Sequence, residues 1–202
     1  MFSMSHQLRR LLLVLLFLWC VSLVSAQTEH FDIILFGDKI GEMTVSHETK
    51  PDGSQFYIIE SKSRAKILWI LRDNYSHYET VYKNGKFFSS IYKEIENNKL
   101  SRWGNTHWDG SKYAVENYHG KKSFTETPAF SIVNLYFDEV KKMNRVFYDT
   151  EAEFVNVDHT DENTLEFKTS DGHKNVYHFV NGKIQQVDVH VSFATVKIVR
   201  VN

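Results

Sequence analysis

Beyond residue 30 the chain alternates apolar and polar residues with a period of two, in runs too short for helices and separated by glycine-centred turns. Residues 31–36 and 39–47 form the first two runs around a Gly37-Asp38 turn, and Gly41 within the second marks a bulge. Further runs cover 55–62, 73–82, 86–95, 100–108 and 112–118, while 66–71 is ambiguous. The second half adds 145–148, 154–157, 164–169, 174–180 and 184–201. In the last run the odd positions Val187, Val189, Val191 and Phe193 are apolar, and after Ala194 the even positions Val196 and Ile198 take over. That change of phase predicts a bulge or strong coiling within one long strand.

Five Asx-Gly pairs lie between these runs: Asp52-Gly53, Asn84-Gly85, Asp109-Gly110, Asp171-Gly172 and Asn181-Gly182. Asn or Asp followed by Gly is the pair that best tolerates the two positive φ angles of a type I′ turn, so the strands are joined as antiparallel hairpins. One stretch departs from the alternation. Thr127-Pro128 followed by Phe130, Val133, Phe137 and Val140 combines a cap, a first-turn proline and helical spacing, which predicts a short helix over 128–138 that packs Phe130, Val133 and Phe137 on the sheet. The expected fold is mainly β: a strongly coiled antiparallel sheet, a half-barrel or open barrel, with one short helix on it. Its concave face is where a ligand would sit.

The amino terminus alters the composition that matters. Arg9-Arg10, an apolar run over 11–24 and the small exit Ser25-Ala26 have the layout of a secretory signal peptide covering residues 1–26, with Val24 and Ala26 at the −3 and −1 positions. A membrane anchor needs about 20 apolar residues, and Trp19 before Cys20 is too bulky for a lipid-attachment motif. The expectation is an exported protein, periplasmic or extracellular in a Gram-negative bacterium, with a single β domain over 27–202 and no span left after cleavage. The leader removes the one cysteine, Cys20, and with it thiol and disulfide chemistry. The whole chain balances 24 basic against 25 acidic side chains, which argues against a nucleic-acid partner engaged through a basic face.

Candidate chemistry is sparse. No nucleophile elbow, phosphate loop, dinucleotide fingerprint or zinc-protease motif is present. Asp158-His159-Thr160-Asp161-Glu162 is the densest set of potential ligands, but without a supporting glycine it reads as a hairpin tip, so neither metal nor cofactor is expected. His77 with Glu79, and Asp188 with His190, share a strand face and can pair a base with an orienting carboxylate. The aromatic group Trp103, Trp108, Tyr113, Tyr75 and Tyr78 supplies the ligand-binding candidates, since flat rings in a groove stack on sugars or cover apolar ligands; core packing explains the same residues.

Three segments taken together, FDIILFGDKIGEMTV, SIVNLYFDEV and NVYHFVNGKIQQVDV, resemble an uncharacterised family of exported β proteins, a domain of unknown function found mainly in the Bacteroidota. The chain departs from that family's pattern at Val140, which follows Asp138-Glu139 where the family carries proline. The resemblance brings no catalytic residues. More distantly, the half-barrel is similar in fold to periplasmic lipoprotein carriers, which implies a lipid or other amphipathic small ligand. Three functions follow in order: a non-enzymatic binding or carrier module of the envelope; an envelope interaction module using strand edges or the Trp103/Trp108 hairpin on a protein partner; and a glycan hydrolase or lyase with His77, Glu79 or His190 as base.

Overall fold

The computed structural model describes residues 26–67, 69–137, 143–170 and 172–201. Residues 1–25 of the expected leader, Asp138 to Val140 at the end of the expected helix, and Asp171 lie outside that set. The first eight strands are β1 (Ala26–Leu35), β2 (Asp38–Thr49), β3 (Gln55–Ile67), β4 (Ile70–Lys83), β5 (Lys86–Glu96), β6 (Lys99–Trp108), β7 (Tyr113–Asn117) and β8 (Gly120–Phe124). A single 3-10 turn (Ile132–Tyr136) and the hairpin β9 (Arg145–Tyr148) and β10 (Glu153–Asn156) follow. The chain then adds β11 (Asp158–Asp161), β12 (Thr164–Lys168), β13 (Lys174–Val180), β14 (Lys183–Val191) and β15 (Ala194–Arg200).

Thirteen of these strands form one antiparallel sheet in the order β11-β12-β13-β14-β15-β1-β2-β3-β4-β5-β6-β7-β8. Every neighbouring pair in it is consecutive in chain order except one: β15 pairs with β1, with Phe31 opposite Arg200 and Leu35 opposite Val196. The edges β8 and β11 do not pair, so the barrel is open. Asn84-Gly85 and Asn181-Gly182 form two-residue turns in which both φ angles are positive, at 52° and 70° and at 53° and 76°, as type I′ geometry requires.

Four expectations are corrected. The first turn is centred on Phe36-Gly37, one residue before the expected Gly37-Asp38, with Phe36 itself at φ 53°. The run 184–201 is two strands: the phase change is a hairpin at Ser192-Phe193, which brings Val187 opposite Ile198 and Val189 opposite Val196. A turn reverses the inward parity just as a bulge does, and so Phe193 points to solvent. The run at 112–118 is β7 with a turn, and β8, a polar strand that alternation does not mark, follows it. The expected helix shrinks to one 3-10 turn, because its cap is Ser131, whose hydroxyl accepts the Val133 N–H while the Asn134 side chain accepts the Ser131 N–H. Phe130 is thereby left outside the turn and 37% exposed.

The concave face is filled by the chain itself. Phe31, Met43, Val45, Tyr57, Phe87 and Phe167 project inward and close on Val133, Leu135, Tyr136, Val146 and Phe147 from the segment between β8 and β11. Tyr136 meets Phe31 edge-on at 5.4 Å between ring centres, and Phe147 meets Phe87 at 5.3 Å. This segment is a plug: the sheet alone would leave its inner apolar face in water.

The bulge expected at Gly41 is present one residue away, since Ile33 pairs Gly41 while Ile34 pairs Lys39 and Ile40 is skipped. A β-carbon at Gly41 would overlap the Lys62 carbonyl oxygen and stand 2.6 Å from the Ser63 Cα, and backbone atoms cannot yield as a side chain does. Gly41→Ala is therefore expected to destabilise the fold by about 1–3 kcal/mol, measured as a lowered urea midpoint; an unchanged midpoint would contradict the close β2–β3 approach.

Candidate functional site

The greatest concentration of polar chemistry is at the turn joining β9 to β10. Asp149, Thr150 and Glu151 are 3%, 0% and 5% exposed, and Ala152 completes the turn at φ 49°, a conformation disfavoured for a residue with a β-carbon. The three polar side chains meet the barrel wall at two places, Asp149 and Thr150 on β4 and Glu151 at β6 and the β7–β8 turn. The Asp149 carboxylate accepts the Ser131 hydroxyl and, at 3.3 Å, the Thr80 hydroxyl. The Thr150 hydroxyl meets the Tyr78 hydroxyl at 3.2 Å. Glu151 accepts the Tyr118 hydroxyl and lies 2.9 Å from His119 Nε2 and 4.0 Å from Arg102 Nη1.

A second carboxylate completes the cluster. Glu94 accepts Tyr92 Oη and Arg102 Nε, both at 2.6 Å, and Asn74 Nδ2 at 3.0 Å. Burial opposes its charge, but those donors and the Arg102 guanidinium hold the Glu94 carboxyl below its ordinary value. Burial pushes Tyr78 up to about 12. Asp149 behaves in the opposite sense from Glu94: desolvation dominates over its hydroxyl donors and raises it to about 6. A protonatable carboxylate beside a serine suggests catalysis, yet Ser131 has no exposed surface and no histidine is among its partners. The arrangement acts as a latch that ties the plug to the wall.

The five aromatic candidates do not converge. Trp108 and Tyr113 contact each other at 4.9 Å, and Tyr113 is buried with its hydroxyl on the Phe87 carbonyl. Tyr78 faces inward against Tyr92 and the latch. Tyr75 and Trp103 are on the outward face, Tyr75 bonded to Glu60 and Trp103 opposite Lys93. The proposed bases are also apart. His77 of β4 lies 3.4 Å from Glu60 of β3, whereas His190 is on β14 against Thr195, and Asp188 pairs with His178 rather than His190. His159 of the acidic cluster bonds the Met143 carbonyl, and the described residues contain no group of three His, Cys, Asp or Glu side chains placed to hold a metal.

What alternation could not reveal is an outward groove of about 670 Å³ across β2–β5. Glu42, Lys62, Tyr75 and Ile95 pair in one row across four strands, and Arg64 is salt-bridged to Asp73 beside it. The Lys62 ammonium stands 5.8 Å from the centre of the Tyr75 ring. The groove thus offers both charge signs, an aromatic face and an aliphatic side chain. In the sequence Glu42, Lys62 and Arg64 each read as solvated strand surface; only the register reveals the row.

The latch generates a pH dependence. Because the folded value of Asp149 lies above the ordinary carboxylate value, the folded state holds the proton more tightly. Its contribution is fully present below about pH 4 and is lost as pH rises through about 6, by at most about 3 kcal/mol. Asp149→Asn keeps the shape without the titration. Urea unfolding of both proteins between pH 4 and 8 is expected to show wild type losing stability relative to the variant as pH rises, and parallel curves would exclude Asp149 as the titrating group.

No curated protein is similar to this chain in sequence. Among solved structures it is similar to a β-barrel-like protein of the domain of unknown function DUF1849 from Brucella abortus, with a TM-score of 0.58 at 13% identity, covering 89% of this chain and 97% of the other. That likeness concerns the fold. The model of the domain of unknown function DUF6134 matches residues 31–201, and the chain belongs to that family.

Proposed function

We propose that this protein is an exported, non-enzymatic binding module of the bacterial envelope, which takes an amphipathic small ligand in the outward groove across β2–β5. The observation that carries the reading is the groove's composition: cations from Lys62 and Arg64, anions from Glu42 and Asp73, the Tyr75 ring and the Ile95 side chain share one concavity. Its volume lies in the range of small-molecule sites. An anionic head meets Lys62, flanked by the ion pairs Arg64–Asp73 and Lys39–Glu42, and an attached apolar portion finds Tyr75 and Ile95. The inner concave face, where a lipoprotein carrier would hold an acyl chain, is occupied by Leu135, Tyr136 and Phe147, so the ligand seat moves from the interior to the outer wall.

The reading has a direct check. Protein recovered from its own host is expected to carry a bound small molecule, seen as an adduct by native mass spectrometry and released by organic extraction. The double variant Lys62→Glu with Tyr75→Ala is expected to lose at least about tenfold in occupancy, while its circular dichroism stays that of the wild type. Adduct-free protein from the host, or a well-folded double variant that retains the adduct, would overturn the assignment.

A further inference from the structure

Antiparallel order sends alternate turns to opposite rims of the barrel, and the two rims differ in chemistry. Asp52-Gly53, Asn84-Gly85, Asp109-Gly110 and Asn181-Gly182 all fall on one rim. On the other rim four hairpins consecutive in the sheet, β14–β15, β1–β2, β3–β4 and β5–β6, end in or beside large apolar residues. Phe193 is 64% exposed, Phe36 73%, Trp69 81%, and Ile70, Leu71 and Leu100 between 51% and 54%. Those six are the majority of the ten exposed large apolar side chains among the described residues, which makes the rim a feature rather than scatter.

Two details show that the fold itself has no use for these residues. Phe36 takes φ 53° in a turn whose counterparts place Asn84 at 52° and Asn181 at 53°; asparagine tolerates that conformation and a bulky aromatic does not. Phe36 therefore adopts an unfavourable backbone to hold a ring in water. The β3–β4 hairpin also outreaches its neighbours. Ladder pairing with β2 ends at Gly41–Ser63 and with β5 at Asn74–Glu96, where the Asp73 carbonyl accepts one last bond from the Asn97 N–H, so residues 64–67 find their strand partners only in 70–73, from Arg64–Asp73 to Ile67–Ile70.

We propose that this rim docks peripherally on an anionic lipid bilayer, with Phe36, Trp69, Ile70, Leu71 and Phe193 entering the headgroup layer. The described residues of this tip include the cations Arg64, Lys66 and Arg72 and the anion Asp73; Arg64 bridges Asp73 and Arg72 bridges Glu96 of β5. An apolar tip bearing tryptophan and flanked by cations is the composition that partitions to a membrane interface, the charges meeting phosphates and the ring lying among headgroups. Apolar side chains distributed over four separate tips suit a fluid surface; a protein partner would be met by a contiguous patch. This docking shares Arg64 and Asp73 with the near end of the outward groove but does not require the groove to be filled.

Vesicle flotation tests the proposal, using the chain as its own host produces it with protein-free vesicles of phosphatidylcholine alone or mixed with phosphatidylglycerol. Wild type is expected to float with the anionic vesicles and to be released by salt. Phe36→Asn with Trp69→Ser and Phe193→Asn is expected to weaken binding by at least roughly tenfold. Lys66→Glu is expected to weaken it on anionic vesicles only. Phe36→Asn installs the residue used by the equivalent turns, so its urea midpoint should equal or exceed that of wild type, and a retained midpoint in the triple variant separates lost docking from lost folding. The proposal fails if wild type stays unbound, if the folded triple variant floats like wild type, or if flotation requires vesicles that carry native membrane proteins, which would assign the rim to a protein.

Discussion

The contact on which the rest of the structure depends is the insertion of the Asp149–Ala152 turn into the barrel wall. An open sheet of thirteen strands has an inner apolar face too large to leave in water, and the plug between β8 and β11 is what covers it. Apolar packing supplies the driving force but is non-directional. Three consecutive polar side chains provide the direction: Asp149 is met by Thr80 of β4 and by Ser131, Thr150 by Tyr78 of β4, and Glu151 by Arg102 of β6 and the β7–β8 turn. Buried carboxylates are expensive unless their oxygens are met, so a misplaced plug would strand them.

The sheet is secured differently where it closes on the chain's two ends. Arg200 on β15 is 6% exposed, lies over the Phe31 ring at 5.0 Å, donates to the Ile184 carbonyl and forms an ion pair with Glu29 on β1. One side chain therefore joins β14, β15 and β1 at the seam where first and last strands meet. Burial opposes the Glu29 charge, and Gln27 with Arg200 and Lys183 hold it below its ordinary value. The two stabilising devices thus operate by the same means, hydrogen-bonded charge removed from water.

How much could be read from the residues varies with the physics. Alternation and Asx-Gly turns are local, and they gave the β class, the antiparallel hairpins and the open barrel. The Ser192-Phe193 hairpin escaped because Phe193 continues the apolar parity of Val187 to Val191, so a two-residue turn without glycine looks like strand. β8 escaped because Gly120-Lys121-Lys122-Ser123 has no apolar face. The outward row Glu42, Lys62, Tyr75 and Ile95 comes from four strands, and the latch joins Glu151 to Tyr118 and His119 across more than thirty positions. Such groupings depend on register and long-range closure, which no local pattern contains.

The filled interior has a consequence for where this fold can act. In a barrel whose lumen is open, the inner wall is free to vary with the ligand. Here Tyr78, Tyr92, Glu94 and Arg102 are committed to one another and to Thr150 and Glu151 of the plug, so a change on the inner wall would disturb the latch before it altered any surface. The outer wall and the turns carry no such obligation. Glu42, Lys62 and Tyr75 can change without uncovering the core, and so can the residues at the tips of Phe36-Gly37 and Ser192-Phe193. Polar residues would serve the fold as well or better at those tips, as Asn84 and Asn181 do in the equivalent turns. An apolar side chain held in water at a position where the fold gains nothing from it is best explained by a contact outside the chain.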